Sequence, residues 1–384
     1  MAHAPVYLDY HATTPVDERV LAAMLPFFTN TFGNAASSTH SWGWQAKDAV
    51  EQARREVAAI IRATPREITF TSGGTESNNM ALRGVAALAP PTRRHMVVSA
   101  IEHKSVLEVP HLLEGEGWRT TVMPVRHDGI IDLAALAAVV DDTTAVISVM
   151  AANNEIGVIQ PLGDIAEIAH RHGALLHVDA AQAVGKIPVD VVASDIDLLS
   201  LTAHKIYGPK GVGALFIRRR LEVEPLIFGG GHERGMRAGT LNVPGIVGLG
   251  KACAIAAAEM ASDAVRIGRL RDRLLAGLRA GIDDVVVNGS MEHRLPNNLH
   301  VSFPGIDGES LIIGVSDIAV SSGSACTSAS GLPSHVLSAI MGAEPVPSAS
   351  IRFGLGRFTT ESDIDYAIER FVAVTRHLRQ TAPV

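Results

Sequence analysis

The sequence is poor in cysteine and carries no excess of positive charge. Only two of its 384 residues are cysteines, Cys253 and Cys326, which excludes a disulfide framework and leaves no paired spacing for a structural metal site. Lysine and arginine number 33 against 40 acidic residues, which gives a formal charge of −7. We therefore do not expect direct binding to nucleic acid or to an acidic membrane surface, and small molecules are the more natural partners.

A long uninterrupted hydrophobic run is also missing. The longest weakly polar stretch, residues 243–260, is broken by Lys251 and Glu259. The first residues lead into Val6 without a charged region followed by an apolar one, which is what a leader sequence would require. We expect a cytoplasmic protein without a membrane segment, long enough for one large domain and a smaller one.

Short apolar runs alternate with helical patterns from about Ile68 onward, which predicts βαβ units and a mostly parallel sheet. Five of these runs end in polar residues. Ligands of open α/β sheets bind outside the carboxyl ends of the strands, so these five ends predict a single crevice. The runs are residues 68–71, 96–99, 145–150, 175–179 and 198–202.

A long alanine-rich helical pattern, from about Pro244 to Leu278, leads into a second and smaller α+β unit. Three strand-like runs there, at 285–287, 298–303 and 318–321, precede a helix from about Glu361 to Arg379. We place the large domain at residues 14–255 and the small domain at residues 1–13 and 256–384.

Lys205 and Asp179 are the first candidates for chemistry, because each lies at the end of a strand that enters the predicted crevice. A lysine amine can form a Schiff base, and an aspartate can keep a pyridinium nitrogen protonated. Together they are the minimum needed to bind pyridoxal phosphate. The alternatives are a solvated loop lysine and an aspartate that caps a helix, and for either residue alone these are the better interpretation.

Two more segments bring polar side chains to the same crevice, and a third segment contains two arginines. Gly74 and Thr75 lie where a strand turns into a helix, so backbone N–H groups could hold a phosphate there, although a capped helix start is an equal alternative. His103 follows another strand and could move protons, although a lone histidine is more often structural. Arg352 lies between apolar residues and, if buried, needs an anionic partner such as a carboxylate. Arg357 is better explained by a structural ion pair.

The two cysteines have opposite surroundings. Cys326 lies in a run of small residues, 321–331, that cannot form a packed core, whereas Cys253 has alanine and isoleucine neighbours. A structural cysteine prefers apolar surroundings, so Cys326 is the candidate nucleophile. We expect the 321–331 loop to be mobile, because glycine and serine bury too little surface to offset the entropy of fixing it.

Together these segments resemble the cysteine desulfurases of the class V aminotransferase group, in particular the branch used for iron–sulfur cluster assembly. The likeness covers nearly the whole chain and keeps the order of the motifs. It implies fold type I of the pyridoxal-phosphate enzymes: a large α/β domain with a mixed, mostly parallel sheet flanked by helices, plus a smaller α+β domain carrying the cysteine loop. The matching segments are YLDYHATTP, TFGNAAS, FTSGGTES, EHKSVL, NNEIG, HVDAAQAVGK, HKIYGPKG, GGGHERGMRAGT, SSGSACTSAS and SIRFGLGRFTT.

The resemblance implies a role for each candidate residue. Lys205 would form the Schiff base with pyridoxal 5′-phosphate, Asp179 would hold the pyridinium nitrogen, and His103 would stack on the ring and move protons. Cys326 would take the sulfur of L-cysteine as a persulfide and leave L-alanine. The other cofactor contacts would come from Gly74, Thr75, Asn154, Gln182, Thr202, His204 and, from the second subunit of a homodimer, Thr240; Asn34 and Arg352 would grip the substrate carboxylate.

The resemblance leaves the destination of the sulfur open. It implies an acceptor protein, either a scaffold or a carrier, that serves iron–sulfur clusters, tRNA thiolation or DNA phosphorothioation. No resident metal is implied beyond a transient iron–sulfur contact at Cys326. The chain ends at Val384, whereas housekeeping bacterial members have a longer tail, so we expect weak or no binding to a housekeeping scaffold. Residues 202–204 read Thr-Ala-His where members often have Ser-Gly-His, which keeps the hydroxyl.

Two alternatives to a cysteine desulfurase stay open from the sequence. One is a selenocysteine lyase, an aminotransferase or another pyridoxal-phosphate enzyme in which Cys326 is incidental. The other is a non-catalytic partner in sulfur assembly that keeps the fold but has lost the cofactor. Release of alanine and sulfide from L-cysteine tests the first, and visible absorbance of a bound cofactor tests the second.

Overall fold

The structure of the chain, a computed structural model, describes residues 5–322 and 334–381. Cys326 and most of the 321–331 loop lie outside these ranges. The strands are β1 (Val6–Tyr7), β2 (Ile68–Thr71), β3 (His95–Ser99), β4 (Arg119–Met123), β5 (Thr144–Ser148), β6 (Leu175–Asp179), β7 (Leu198–Thr202), β8 (Gly213–Ile217), β9 (Val286–Val287), β10 (Asn298–Ser302), β11 (Ile318–Ala319) and β12 (Ser350–Gly354). The helices are α1 (Glu18–Met24), α2 (Pro26–Thr29), α3 (Ser41–Ile60), α4 (Gly74–Leu88), α5 (Lys104–Glu114), α6 (Leu133–Val139), α7 (Leu162–Arg171), α8 (Val243–Gly281), α9 (Gly308–Gly314), α10 (His335–Met341) and α11 (Glu361–Thr381).

A seven-stranded sheet forms the centre of the larger part of the molecule. Its strand order is β2-β8-β7-β6-β5-β3-β4. Strand β8 runs antiparallel to β2 and β7, and all the other neighbours are parallel. Every residue of β2, β3, β5, β7 and β8 is buried, as expected for a sheet covered on both faces. The predicted mostly parallel, mixed sheet flanked by helices is confirmed.

The strands that lead to the predicted crevice form where the apolar runs indicated. Residues 68–71, 175–179 and 198–202 are strands with those bounds, and the other two runs form β3 at 95–99 and β5 at 144–148. Strands β3, β5, β6 and β7 are parallel neighbours, so their carboxyl ends meet at one edge of the sheet. That edge brings together residues far apart in sequence.

The smaller part has a three-stranded antiparallel sheet, β12-β10-β9, and a parallel pair, β1-β11. Its core buries Phe303, Phe353 and Phe371, and the rings of the last two lie 4.9 Å apart between centroids. Val6 and Leu8, from the start of the chain, belong to this core. An α+β unit that includes the first residues matches the sequence analysis, and the domain boundaries at residues 14 and 255 stay predictions.

The longest helix, α8, has 39 residues and belongs to both cores. Its first half buries Leu249 against the large sheet's core, and its second half buries Leu274 in the smaller core. By length and composition α8 could cross a membrane, but 56% of the relevant window is buried inside the protein. A Cβ on Gly250 would lie 2.5 Å from the Cα of Ala53, so this glycine lets α3 approach α8 closely. We therefore interpret α8 as a core helix.

Candidate active site

A cavity of about 290 Å³ lies at the carboxyl ends of the parallel strands, where the crevice was predicted. It receives side chains that follow β2, β3, β5, β6 and β7, together with residues from the start of the chain and from β12. The predicted site residues that line it are Gly74, Thr75, His103, Asn154, Asp179, Gln182, Thr202, His204, Lys205 and Arg352.

Asp179, the last residue of β6, is 5% exposed and is held by donors on both carboxylate oxygens. Its Oδ2 accepts a hydrogen bond from Asn78 Nδ2 at 2.7 Å, and its Oδ1 accepts one from the backbone N–H of Ala181 at 2.9 Å. The Ala181 contact closes a local turn and does not cap a helix, because no helix follows β6 before β7 among the described residues. The carboxylate lines the cavity, where its remaining lone pairs can accept from a protonated ring nitrogen.

Lys205 follows β7 in a short 3₁₀ turn, and its amine is directed into the cavity by the start of the chain. The Nζ atom donates to the carbonyl oxygen of His11 at 2.5 Å and to that of Ala12 at 2.7 Å. These contacts rule out the alternative of a solvated loop lysine. A primary amine is thus present in the same cavity as Asp179.

The N terminus of α4 provides an anion-binding end to the cavity. The first N–H groups of a helix have no intrahelical partner and carry partial positive charge. The preceding residue, Gly73, has φ +153°, and a Cβ on Gly213 would lie 2.8 Å from its Cα, so the turn packs tightly against β8. A Cβ on Gly73 would be 3.9 Å from the Thr202 hydroxyl oxygen, which puts that hydroxyl beside this helix end.

His204 lies on the same side of the cavity and is neutral. Burial, assisted by the positive charge of Lys205, lowers the pKa of His204 to about 4. Its Nδ1 pairs with the Thr13 hydroxyl at 3.2 Å. A neutral imidazole next to a lysine can bind an anion without adding a further charge to be desolvated.

His103 both caps a helix and lines the cavity. Its Nδ1 accepts from the backbone N–H of Ser105 at 3.2 Å and lies 2.8 Å from the Ser105 hydroxyl, at the start of α5. Burial lowers the pKa of His103, and the nearby Asp179 carboxylate opposes this shift. The ring is therefore neutral near pH 7, and Nε2 is the nitrogen left for the cavity. The structural role of His103 is therefore observed, and its role in moving protons stays a prediction.

Arg352, on β12, is 1% exposed and has the anionic partner that its burial requires. Its Nη2 donates to Asp9 Oδ1 at 2.8 Å and to the Ser321 hydroxyl at 3.1 Å, and Nη1 donates to the Asn154 carbonyl at 3.1 Å. Its Nε is buried with no hydrogen-bond partner among the described residues. This N–H and the second N–H of Nη1 are the guanidinium donors for which no acceptor is described.

Two predicted site residues are not brought to the cavity within the single chain. Asn34 is exposed, and its side-chain oxygen accepts from the backbone N–H of Ala36 at 2.9 Å. Thr240 is exposed as well, and neither residue lines the cavity. Their assignments, like that of Cys326, stay predictions.

The sequence indicates structural roles for Arg357 and Cys253, and the surroundings of both side chains agree with this prediction. The guanidinium of Arg357 pairs with Asp17 at 2.9 Å and with Asp263 at 3.1 Å, and it stacks on the Tyr207 ring. Cys253 is fully buried on α8, and burial raises its pKa far above the usual thiol value. Its thiolate is therefore inaccessible as a nucleophile.

Several residues of the site were not found from the sequence. His11, Asn78, Ser105 and Met150 also line the cavity. Asn78 lies four residues after Gly74 on α4, so the helical repeat could have indicated it. His11 carries no such local signal, because it reaches the site only through the fold.

Comparisons with known proteins agree with this geometry. The family model described as Aminotransferase class-V matches residues 6–367. The protein named cysteine desulfurase IscS from Anaeromyxobacter dehalogenans is 53% identical over 382 residues, which covers 99% of this chain and 95% of the relative. Human cysteine desulfurase is 50% identical, with 99% of this chain and 84% of the human protein covered.

Two solved structures of similar proteins superpose closely on this chain. A NifS-like protein superposes with a TM-score of 0.91 at 39% identity, covering 97% of this chain and 100% of the other. DndA from Streptomyces lividans superposes with a TM-score of 0.77 at 40% identity, covering 92% and 98%. The chain therefore belongs to the class V aminotransferase family, in its group of cysteine desulfurases.

Proposed function

We propose that this protein uses pyridoxal 5′-phosphate to remove sulfur from L-cysteine, giving L-alanine and a persulfide on Cys326. The observation that carries the proposal is the meeting of Lys205 and Asp179 in one cavity beside a helix N terminus. The relatives named cysteine desulfurase support the choice of substrate.

The residues of the cavity fit pyridoxal phosphate. The N terminus of α4, with Thr75, Thr202 and His204, suits a phosphate group. Asp179 suits a protonated ring nitrogen, and the buried Oδ1 of its neighbour Asn78 has no partner among the described residues, which favours a polar occupant. When bound, pyridoxal phosphate supplies an aldehyde that condenses with amines and a ring that withdraws electrons from the substrate's Cα.

The chain's own groups would then bind substrate and move protons. Arg352 would bind and orient the substrate carboxylate. Lys205 Nζ is the group able to take a proton from Cα, and His103 Nε2, which carries the ring proton while Nδ1 accepts, is able to give one. The Cys326 thiolate would attack the substrate sulfur. A new S–S bond forms as the Cβ–S bond breaks, and the electron pair of that bond, with a proton, stays on the carbon that becomes the methyl group of alanine.

The deciding experiment measures alanine and sulfide released from L-cysteine in the presence of a thiol reductant. A cysteine desulfurase forms both in equal amounts, whereas an aminotransferase forms neither. Assaying L-selenocysteine in parallel separates a selenocysteine lyase, which would prefer that substrate. Absence of alanine from a protein that shows the absorbance of bound cofactor would refute the proposed activity.

Asp179→Ala should lower the turnover number about 10²- to 10³-fold, because the carboxylate would no longer stabilise the protonated ring nitrogen. Cofactor should still bind, since Lys205 and the α4 N terminus remain. Steady-state kinetics together with the visible spectrum measure the two effects separately. An unchanged turnover number with bound cofactor would contradict the role of Asp179.

Arg352→Gln should raise KM for L-cysteine about 10- to 100-fold, because it removes a charge-assisted hydrogen bond to the substrate carboxylate. It also leaves the Asp9 carboxylate, now unpaired, to repel that substrate. Arg357→Gln is the matched control, since Arg357 forms ion pairs outside the cavity. The control should lower the melting temperature without changing KM, and equal KM values for the two variants would contradict the assignment.

We infer a homodimer in which Thr240 completes the partner's cavity. Thr240 is exposed and outside its own chain's cavity, and the segment from α1 to the start of α3 exposes six large apolar side chains, which favours burial against another chain. These exposed side chains are Leu21, Leu25, Phe28, Phe32, Trp42 and Trp44. Each active site would then need two chains.

Mixed dimers test this arrangement. Lys205→Ala and Thr240→Ala chains should each be impaired alone, but a dimer of one of each should regain one native site, with Lys205 from one chain and Thr240 from the other. Activity of the purified mixed dimer should approach half that of the parent. Activity no higher than the mean of the two separate variants would contradict a contribution from the partner.

We propose iron–sulfur cluster assembly as the pathway that receives the sulfur. Relatives named IscS are 53% and 52% identical to this chain, compared with 40% for DndA. Calorimetric titration with an iron–sulfur scaffold protein tests this directly. Tight one-to-one binding per subunit supports the pathway and overturns the weak binding expected from the sequence, whereas absence of binding favours a dedicated carrier. A cytoplasmic location stays a prediction.

A further inference from the structure

A hydrogen-bonded network of buried polar side chains ends at Gln182, which lines the cavity. Gln182 and His11 are 3% and 1% exposed. Gln182 Oε1 accepts a hydrogen bond from Lys186 Nζ at 2.7 Å and pairs with His11 Nδ1 at 2.9 Å. Gln182 Nε2 donates to the carbonyl oxygen of His11 at 3.0 Å. Three contacts thus hold one carboxamide.

The same hydrogen-bonded network of side chains continues from His11 into the smaller sheet. Asn298, the first residue of β10, directs its Nδ2 to His11 Nε2 at 3.1 Å and to the Glu155 carbonyl at 2.9 Å. Asn298 Oδ1 accepts from Arg294 Nη1 at 2.9 Å. Arg294 and Asn298 are both buried, so water does not compete for these bonds.

The direction of the bonds from Arg294 to Gln182 is fixed by the Arg294 end of this network. A guanidinium only donates, so Asn298 must accept from Arg294 through Oδ1 and present its N–H group to His11. His11 Nε2 must then accept, which leaves the ring proton on Nδ1, where it donates to Gln182 Oε1. Lys186 donates to the same oxygen. The Arg294 end therefore sets the orientation of the Gln182 amide, and the Lys186 contact agrees with that orientation.

The His11 ring is neutral in this arrangement. Burial, reinforced by the positive charges of Lys186 and Arg352, lowers the pKa of His11 well below its usual value. Both ring nitrogens are engaged, by Gln182 and by Asn298, so neither is available to exchange protons with a substrate. His11 therefore differs from His103, whose Nε2 faces the cavity.

We propose that His11 is a positioning residue that orients two groups of the cavity toward pyridoxal phosphate. Its Nδ1–H fixes the Gln182 amide so that the second Nε2–H, which has no partner among the described residues, is left to donate to the anionic ring oxygen of the cofactor. Its backbone carbonyl accepts from Gln182 Nε2 and from Lys205 Nζ, and so sets the spacing between them. This inference rests on the proposed cofactor.

Two substitutions at His11 separate the hydrogen bond from the bulk of the ring. His11→Asn keeps an N–H donor near the position of Nδ1, whereas His11→Leu keeps volume and loses the donor. The apoproteins, confirmed as folded by thermal unfolding, are titrated with pyridoxal phosphate. We expect His11→Leu to weaken binding about tenfold and to shift the visible absorption band, because the ring oxygen loses an oriented donor. His11→Asn should stay within about threefold of the parent.

Parental affinity and an unshifted band in His11→Leu would overturn the positioning role, and so would equal weakening in both variants. If the parent protein itself binds no pyridoxal phosphate, the proposed function fails instead, so the two failures are distinguishable.

A second measurement does not depend on cofactor. In apoprotein labelled with ¹⁵N-histidine, the His11 signals, identified by their absence from His11→Asn, should report a neutral Nδ1–H tautomer at neutral pH. A neutral Nε2–H tautomer or an imidazolium would contradict the hydrogen-bond directions on which the proposal depends.

Discussion

Lys205→Ala is expected to abolish turnover, with a loss on the order of 10⁴-fold or more. Its Nζ is the amine held in the cavity beside Asp179, by the carbonyl oxygens of His11 and Ala12. Without it, no group of the cavity described here can form the covalent attachment to the cofactor or release product from it. The measurement is alanine formed from L-cysteine by purified protein with added pyridoxal phosphate.

Lys210→Ala is the matched control, because Lys210 is an exposed lysine in the turn that follows Lys205. It should retain the parent rate and the parent spectrum. Lys205→Ala should lack the absorption band of covalently attached cofactor even where pyridoxal phosphate is bound through its phosphate. Alanine release at the parent rate from Lys205→Ala would show that the site is wrongly assigned.

Cys326→Ala should lose persulfide formation completely while it keeps the spectrum of bound cofactor. The thiol is proposed to act after the cofactor has activated the substrate, so cofactor binding does not require it. Mass spectrometry of the intact chain after treatment with L-cysteine should detect the mass of one added sulfur atom on the parent and none on the variant.

Cys253→Ala provides the comparison within the same chain. Cys253 is fully buried in the core around α8, and burial raises its pKa, so it is neither accessible nor ionised. Its replacement should leave persulfide formation intact and cost at most about 1 kcal/mol of stability through lost packing. Sulfur retained on Cys326→Ala but lost from Cys253→Ala would reverse the assignment of the two cysteines.

The sheet and its active edge could be predicted because their signals are local. Apolar runs of strand length, each followed by polar residues, identified the strands and the edge where their ends meet. Lys205, Asp179 and His103 are adjacent to those strands, so their positions followed from the strand pattern itself. Because the carboxyl ends of parallel strands lie at the same edge of a sheet, these residues were expected to lie close together.

Contacts between distant segments could not be predicted in this way. The partner of Arg352 is Asp9, 343 residues away along the chain, and the acceptors of Lys205 Nζ are 194 and 193 residues away. Nothing in the residues around Asp9 or His11 indicates that the start of the chain returns to the sheet. Burial of Arg352 did predict an anionic partner, since an unpaired buried charge is costly, but not which carboxylate it would be.

Helix α8 makes the folding of the two cores interdependent. It supplies Leu249 to one core and Leu274 to the other without an interruption in the helix between them. A helix gains most of its stability from packing, so loss of either core leaves half of α8 exposed and without that support. A substitution that destabilises one core therefore also destabilises the other, and one in the smaller core should lower the hydrogen-exchange protection of backbone amides beside the active-site cavity.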